Sequence, residues 1–130
     1  MAYTNLPNGL LAGELRIGTV DANIQLPSGF QSLTASAAVT PGIQALELNH
    51  ATVVIAATIA TTLPYAGTFL VVKDTSASGT AAHTVTITTG TWDGTNKIAT
   101  LNAPNEAFEV FFDSVGNGTI VSNVGSVAFS

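Results

Sequence analysis

The residues of this chain that could do chemistry are two histidines, His50 and His83, and the carboxylates Asp74 and Asp93. Imidazole and carboxylate together can hold a metal ion, or act as the base and orienting acid of a triad. The spacing here fits no ligand motif, and the chain has no Cys to complete one. Ser is plentiful, yet none sits in the G-x-S-x-G context that exposes a nucleophile on a sharp turn. These residues therefore read as structural, with His83 a strand residue facing a neighbour and His50 a turn residue after Asn49.

A second set is acidic. Glu106, Glu109 and Asp113 are close in sequence, and a pair of carboxylates is the minimum for glycoside hydrolysis. Glu109 and Asp113 would share a strand face with Phe111 between them, roughly 13 Å apart at the rise of a strand. That is too wide for one acid–base pair, so the three read as a solvated outer face. A third candidate is Trp92, the only Trp, in a turn with Asp93, Thr95 and Asn96. An aromatic beside small polar groups is what a sugar-binding surface uses, which makes these four a ligand-contact loop. The plainer alternative is a turn aromatic folded back over the core. Asn117-Gly118-Thr119 matches a glycosylation sequon, but reads as a hairpin turn using Asn and Gly for positive φ. No catalytic residue, metal ligand or cofactor site emerges, and the expectation is that the chain is not an enzyme.

The elements that must position these residues read as short strands. Residues 31–38 and 43–48 flank a Thr40-Pro41-Gly42 turn. Residues 52–59 are rich in β-branched side chains, which favour strand over helix despite the interspersed Ala. Residues 68–73 (TFLVVK) are apolar on both faces, the pattern of a strand buried on two sides. In 83–88, His83, Val85 and Ile87 point one way and Thr84, Thr86 and Thr88 the other, a clean period of two. Asp93-Gly94 is a turn signal, 98–101 is a short strand, and Pro104 and Asn105 end it. In 106–113, Phe108, Val110 and Phe112 share a face, and burying each is worth roughly 1.5–3 kcal/mol. Residues 114–118 close a hairpin into 119–124, and 126–130 finish the chain as a last strand.

The fold expected is all-β, a compact antiparallel β-sandwich or barrel over residues 30–130. It is preceded by an extended N-terminal arm, residues 1–29, in which Pro and Gly interrupt Leu10, Leu11, Leu15, Ile17 and Val20. Such a segment is too apolar for a free linker and suits an arm that contacts a subunit or a shell, the alternative being a loose tail plus one edge strand.

Composition narrows the partners. The formal net charge is −5, with Arg16, Lys73 and Lys97 the only permanent cations. Three scattered cations cannot track a phosphate backbone, nor hold to an anionic membrane surface. The first ten residues lack a basic stretch and an apolar core of the signal-peptide kind, and the apolar run 51–60 is far short of a membrane helix. The expectation is a soluble protein with no ordinary export signal. Charged residues are 8% of the chain, against roughly 25% in an ordinary soluble domain. A monomer so poor in charge would struggle to stay dispersed, so copies of itself or a larger assembly are expected to cover part of its surface.

The runs LPYAGTFLVVKDTSASG (63–79), AHTVTITTGTWDGT (82–95), ATLNAP (99–104) and EVFFDSVGNGTIVSN (109–123) resemble a β-module recurrent in tailed-phage virion proteins. That module is found in head decoration (cement) proteins, head fibres and tail-fibre tips. The resemblance implies a structural virion protein, a homotrimer made in the host cytoplasm and seated on the capsid surface against the major capsid protein. By mass action, a protein that binds only the assembled shell stabilises it. No residue of 1–29 matches a motif of that family. On physical grounds Leu6, Leu10, Leu11, Leu15 and Ile17 are the capsid-contact candidates. The alternative is a head- or tail-fibre tip that binds host-surface carbohydrate around Trp92. The chain is short for a long tail fibre, which favours decoration.

Overall fold

The computed structural model describes residues 29–60, 66–77 and 79–130. Among these, every regular element is a strand: β1 (Phe30–Leu33), β2 (Ala45–Leu48), β3 (Ala56–Ile59), β4 (Phe69–Asp74), β5 (His83–Ile87), β6 (Ile98–Leu101), β7 (Ala107–Phe112), β8 (Gly118–Val124) and β9 (Ala128–Phe129). They form a five-stranded sheet in the order β1-β2-β4-β7-β8 and a four-stranded sheet in the order β3-β5-β6-β9.

The all-β expectation holds, and the two sheets pack as a sandwich. The antiparallel part of it needs correction, because both sheets are mixed. β1–β2, β2–β4 and β3–β5 run parallel, while β4–β7, β5–β6, β6–β9 and β7–β8 run antiparallel. The cause is the route of the chain. From β2 to β5 it changes sheet at every strand, so neighbours within a sheet are reached by crossing over the core and arrive parallel. Among the described strands, consecutive antiparallel neighbours are β5–β6, joined through residues 88–97, and β7–β8, joined through residues 113–117.

Several strands are shorter than their sequence patterns, each for a local reason. β1 stops at Leu33; the chain then bends, and Ala38 bridges to Thr58 in the opposite sheet. Residues 52–55 are not strand. The His50 ring accepts the N–H groups of Thr52 and Val53, and the His83 ring accepts that of Ile55, so these donors leave the ladder.

The core lies between the inward faces. Leu46, Leu48, Leu70, Val72, Phe108, Val110 and Phe112 of the larger sheet meet Ala57, Ile59, Val85, Ile87, Ala99 and Leu101 of the smaller. The period-two readings of residues 83–88 and 106–113 both appear as alternating burial. β4 departs from expectation. Leu70, Val72 and Asp74 are buried, but Phe69, Val71 and Lys73 are exposed. A strand written as apolar on both sides is covered on only one.

Candidate interaction surface

The titratable residues with metal or triad potential are spent on structure. His83 is fully buried on β5, and its Nδ1 accepts the Ile55 N–H at 3.1 Å. The ring proton is therefore on Nε2, which stands 3.9 Å from Oδ1 of the equally buried Asp74. A ring nitrogen that carries a proton offers no lone pair to a metal. Asp74 Oδ1 accepts the Ser76 N–H at 2.8 Å, which closes the turn after β4. Of the four residues with metal or triad potential, only this pair comes together. It joins the two sheets at one end of the core. His50 closes its own turn, as its sequence position suggests. Asp93 accepts the Ile120 N–H at 2.9 Å. No cluster of three metal-ligating groups occurs among the described residues.

The acidic trio is not one outer face, and this corrects the sequence reading. β7 runs from Ala107 to Phe112, so only Glu109 lies on its outward side. Glu106 is buried before the strand and Asp113 opens the turn after it. Glu106 Oε2 accepts the N–H groups of Asn102 (2.5 Å) and Ala103 (2.9 Å). Its Oε1 accepts both the N–H (2.7 Å) and the hydroxyl (2.9 Å) of Ser126. Burial by itself would push this carboxyl up, but these hydrogen bonds, led by those from Ser126, outweigh it and hold the group below its ordinary value. Asp113 is also held low, first by the Asn117 N–H and then by that of Val115.

Trp92 is also corrected as a ligand contact. It is fully buried, edge-on to Phe108 at 5.7 Å and tilted against Phe112 at 6.2 Å. A ring in that position cannot stack on a sugar at the surface. The plainer reading, a turn aromatic over the core, describes it. Of its loop, Asp93 and Thr95 are exposed and Asn96 half-buried. Positive φ at Asp93 (45°) and Gly94 (93°) makes the tight turn that the Asp-Gly pair signals. In the next hairpin the positive φ falls at Gly116 (92°), not at Asn117 or Gly118 as the sequence suggested. Asn117 instead spends its side chain: Oδ1 accepts from the N–H and hydroxyl of Thr91. Leu6, Leu10, Leu11, Leu15 and Ile17 lie outside the described residues.

What the fold leaves open is a surface. Cross-strand register puts Phe30, Ala45, Val71 and Glu109 in one row across the outer side of the larger sheet, and Phe69 beside Phe111 in the next. The Phe69 and Phe111 rings are 5.2 Å apart. Phe30 is 52% exposed, Phe69 47% and Val71 41%, which is high for side chains that lose so much by facing water. Val124, on β8 opposite Ala107, extends the face. Its charges are Glu47, Lys73 and Glu109. The Ser32 hydroxyl donates to Glu47 at 2.7 Å.

The outer side of the smaller sheet is the opposite case. There the register aligns Ala56, Thr84, Thr100 and Ala128 in one row, and Thr58, Thr86 and Ile98 in the next. Hydroxyls outward and aliphatics inward is the ordinary solution for a sheet with one wet face. The larger sheet therefore exposes the bulky apolar Phe30, Phe69 and Val71 among Glu47, Lys73 and Glu109, while the smaller sheet exposes threonines with small or aliphatic neighbours and no charge. The sequence signal for the exposed apolar side chains of the larger sheet was already present in the two-sided apolarity of residues 68–73.

No family model matches this chain, and a search of curated proteins finds no match either.

Proposed function

We propose that this chain is a structural virion protein, a capsid decoration protein that assembles as a homotrimer and stabilises the assembled phage head. The observation that carries the reading is the open apolar face of the larger sheet on a chain whose charged residues are only 8%. A protein built to be partly covered can dispense with surface charge, because contacts between apolar strand faces do not require ions to be desolvated. The similarity of 63–123 to the virion β-module supplies the setting. In this reading Leu6, Leu10, Leu11, Leu15 and Ile17 grip the major capsid protein while the sandwich carries the contacts between copies. The carbohydrate-binding alternative has less support, since Trp92, the aromatic it relied on, lies in the core.

The test is removal of residues 1–29 followed by two assays. The truncated chain is expected to keep its oligomeric mass in sedimentation and to lose co-sedimentation with expanded capsids that lack it. Undiminished binding by the truncated chain would overturn the arm assignment. Failure of the full chain to bind such capsids would overturn the decoration reading.

A further inference from the structure

We propose that residues 50–55, where the chain crosses from β2 to β3, form a proton-sensitive latch that His50 and His83 hold shut while their rings are neutral. The device lies within one copy and stands apart from the decoration reading.

The backbone N–H groups of Thr52, Val53 and Ile55 all end on imidazole nitrogens. His50 Nδ1 accepts from Thr52 at 3.3 Å and from Val53 at 3.0 Å, and His83 Nδ1 accepts from Ile55 at 3.1 Å. A ring nitrogen accepts only while it carries no proton. A second proton turns each Nδ1 into a donor that faces another donor. Side-chain burial does little to hold the stretch. Thr52, Val53 and Val54 are exposed, and Ile55 is the residue that enters the core. The flanks are tied by groups that do not titrate in this range. The Thr80 hydroxyl donates to Ala51 O, Ala56 N–H to the Ser36 hydroxyl, and Thr84 N–H to Ile55 O. What protonation frees is the short stretch between these ties.

The surroundings of His83 give the charged ring a different partner. Its Nε2 stands 3.9 Å from Asp74 Oδ1, and neither Nε2 nor Asp74 Oδ2 has a hydrogen-bond partner while the latch is shut. An imidazolium is drawn to that carboxylate and repels the Ile55 N–H. Charge on the ring thus trades the Ile55 bond for an ion pair with Asp74, and the two arrangements make a two-state element. Among the described residues Asp74 supplies the carboxylate within 4 Å of either ring. β6 sets Leu101 opposite His83 and brings no charge. On the strands that lead to His50, Glu47 and Lys73 are register partners on the outer side. Glu106 lies beside Asp74, whose N–H donates to Glu106 O. Its carboxyl is held below the ordinary value, so it stays ionised in mild acid and keeps its ties to Asn102, Ala103 and Ser126. Mild acid therefore acts on the latch and not on the turn next to it.

The test is amide hydrogen exchange of the full chain, read residue by residue by NMR as protection relative to the intrinsic rate at each pH. Between about pH 7.5 and about pH 5.5, the range in which an imidazole gains its charge, protection at Thr52, Val53 and Ile55 is expected to fall about tenfold. The amides of Val85 and Val110 are expected to keep theirs. Equal protection of the three latch amides at both pH values would overturn the proposal. A fall shared equally by Val85 and Val110 would also overturn it, because the whole fold rather than the latch would then be opening. Two variants separate the rings. Asn can offer Oδ1 as an acceptor in place of Nδ1 and takes no proton. His50→Asn is expected to remove the pH dependence at Thr52 and Val53, and His83→Asn to remove it at Ile55. His50 lies in a half-exposed turn, so its variant decides the matter even if His83→Asn fails to fold. A His50→Asn chain that keeps the wild-type fall at Thr52 and Val53 would overturn the latch.

Discussion

At the scale of single residues, the polar groups that looked reactive hold turns and sheet ends in place. Glu106 is the clearest. Its folded-state pKa lies below the ordinary value of 4.5, so the stability it contributes is present above the unfolded value and is lost as pH falls through the folded one. Urea titrations across pH are expected to show stability falling below about pH 4.5, and Glu106→Gln is expected to flatten that acid limb. The same variant should be less stable at neutral pH, because the N–H groups of Asn102, Ala103 and Ser126 lose a charged acceptor. An acid limb as steep as the wild type's would contradict the role given to Glu106. Trp92→Ala should destabilise by about 3–5 kcal/mol, the usual penalty for removing a large buried aromatic. Trp92→Phe should destabilise much less, since the indole Nε1 has no hydrogen-bond partner to lose. His83→Phe would leave the Ile55 N–H unpaired, a loss of about 1–3 kcal/mol in thermal or urea unfolding.

At the scale of elements, the strands that alternate cleanly were legible in the sequence. Residues 83–88 and 106–113 carry period two because each has one face against the core, and the structure buries the faces that the pattern marks. The parallel pairings were not legible, because side-chain alternation says which face is inward but not which strand lies alongside. Glu106 shares the inward parity of Phe108, Val110 and Phe112, so its burial was legible in the alternation, and the solvated reading followed its charge instead. Trp92 was open to two readings because an aromatic in a turn can face either way. What decides it is space made by a glycine. A Cβ on Gly118 would lie 2.6 Å from Val110 Cγ2 and 2.9 Å from the Trp92 ring. Gly118→Val is therefore expected to displace Trp92 and separate β8 from β7, read as a shifted Trp92 emission and a large fall in melting temperature. Native emission in that variant would contradict the packing described. The β4 pattern is apolar on both sides, but the burial of both that it predicts is not met. The single chain supplies a cover for only one of them.

At the scale of the whole molecule, the sparse charge and the uncovered face are one observation seen twice. The smaller sheet presents threonines to the outside, whereas the larger sheet mixes Glu47, Lys73 and Glu109 with the exposed rings of Phe30 and Phe69 and the side chain of Val71. Salt provides a test at this scale. Apolar contact with few ions predicts association that changes little between low and moderate ionic strength, since screening acts on exposed charges. Dissociation on adding moderate salt would point to a different kind of contact. The most direct measurement is sedimentation equilibrium of the full chain over a wide concentration range at neutral pH. A closed species of three times the 13.2 kDa chain mass is expected. A stable 13.2 kDa particle at all concentrations would contradict it.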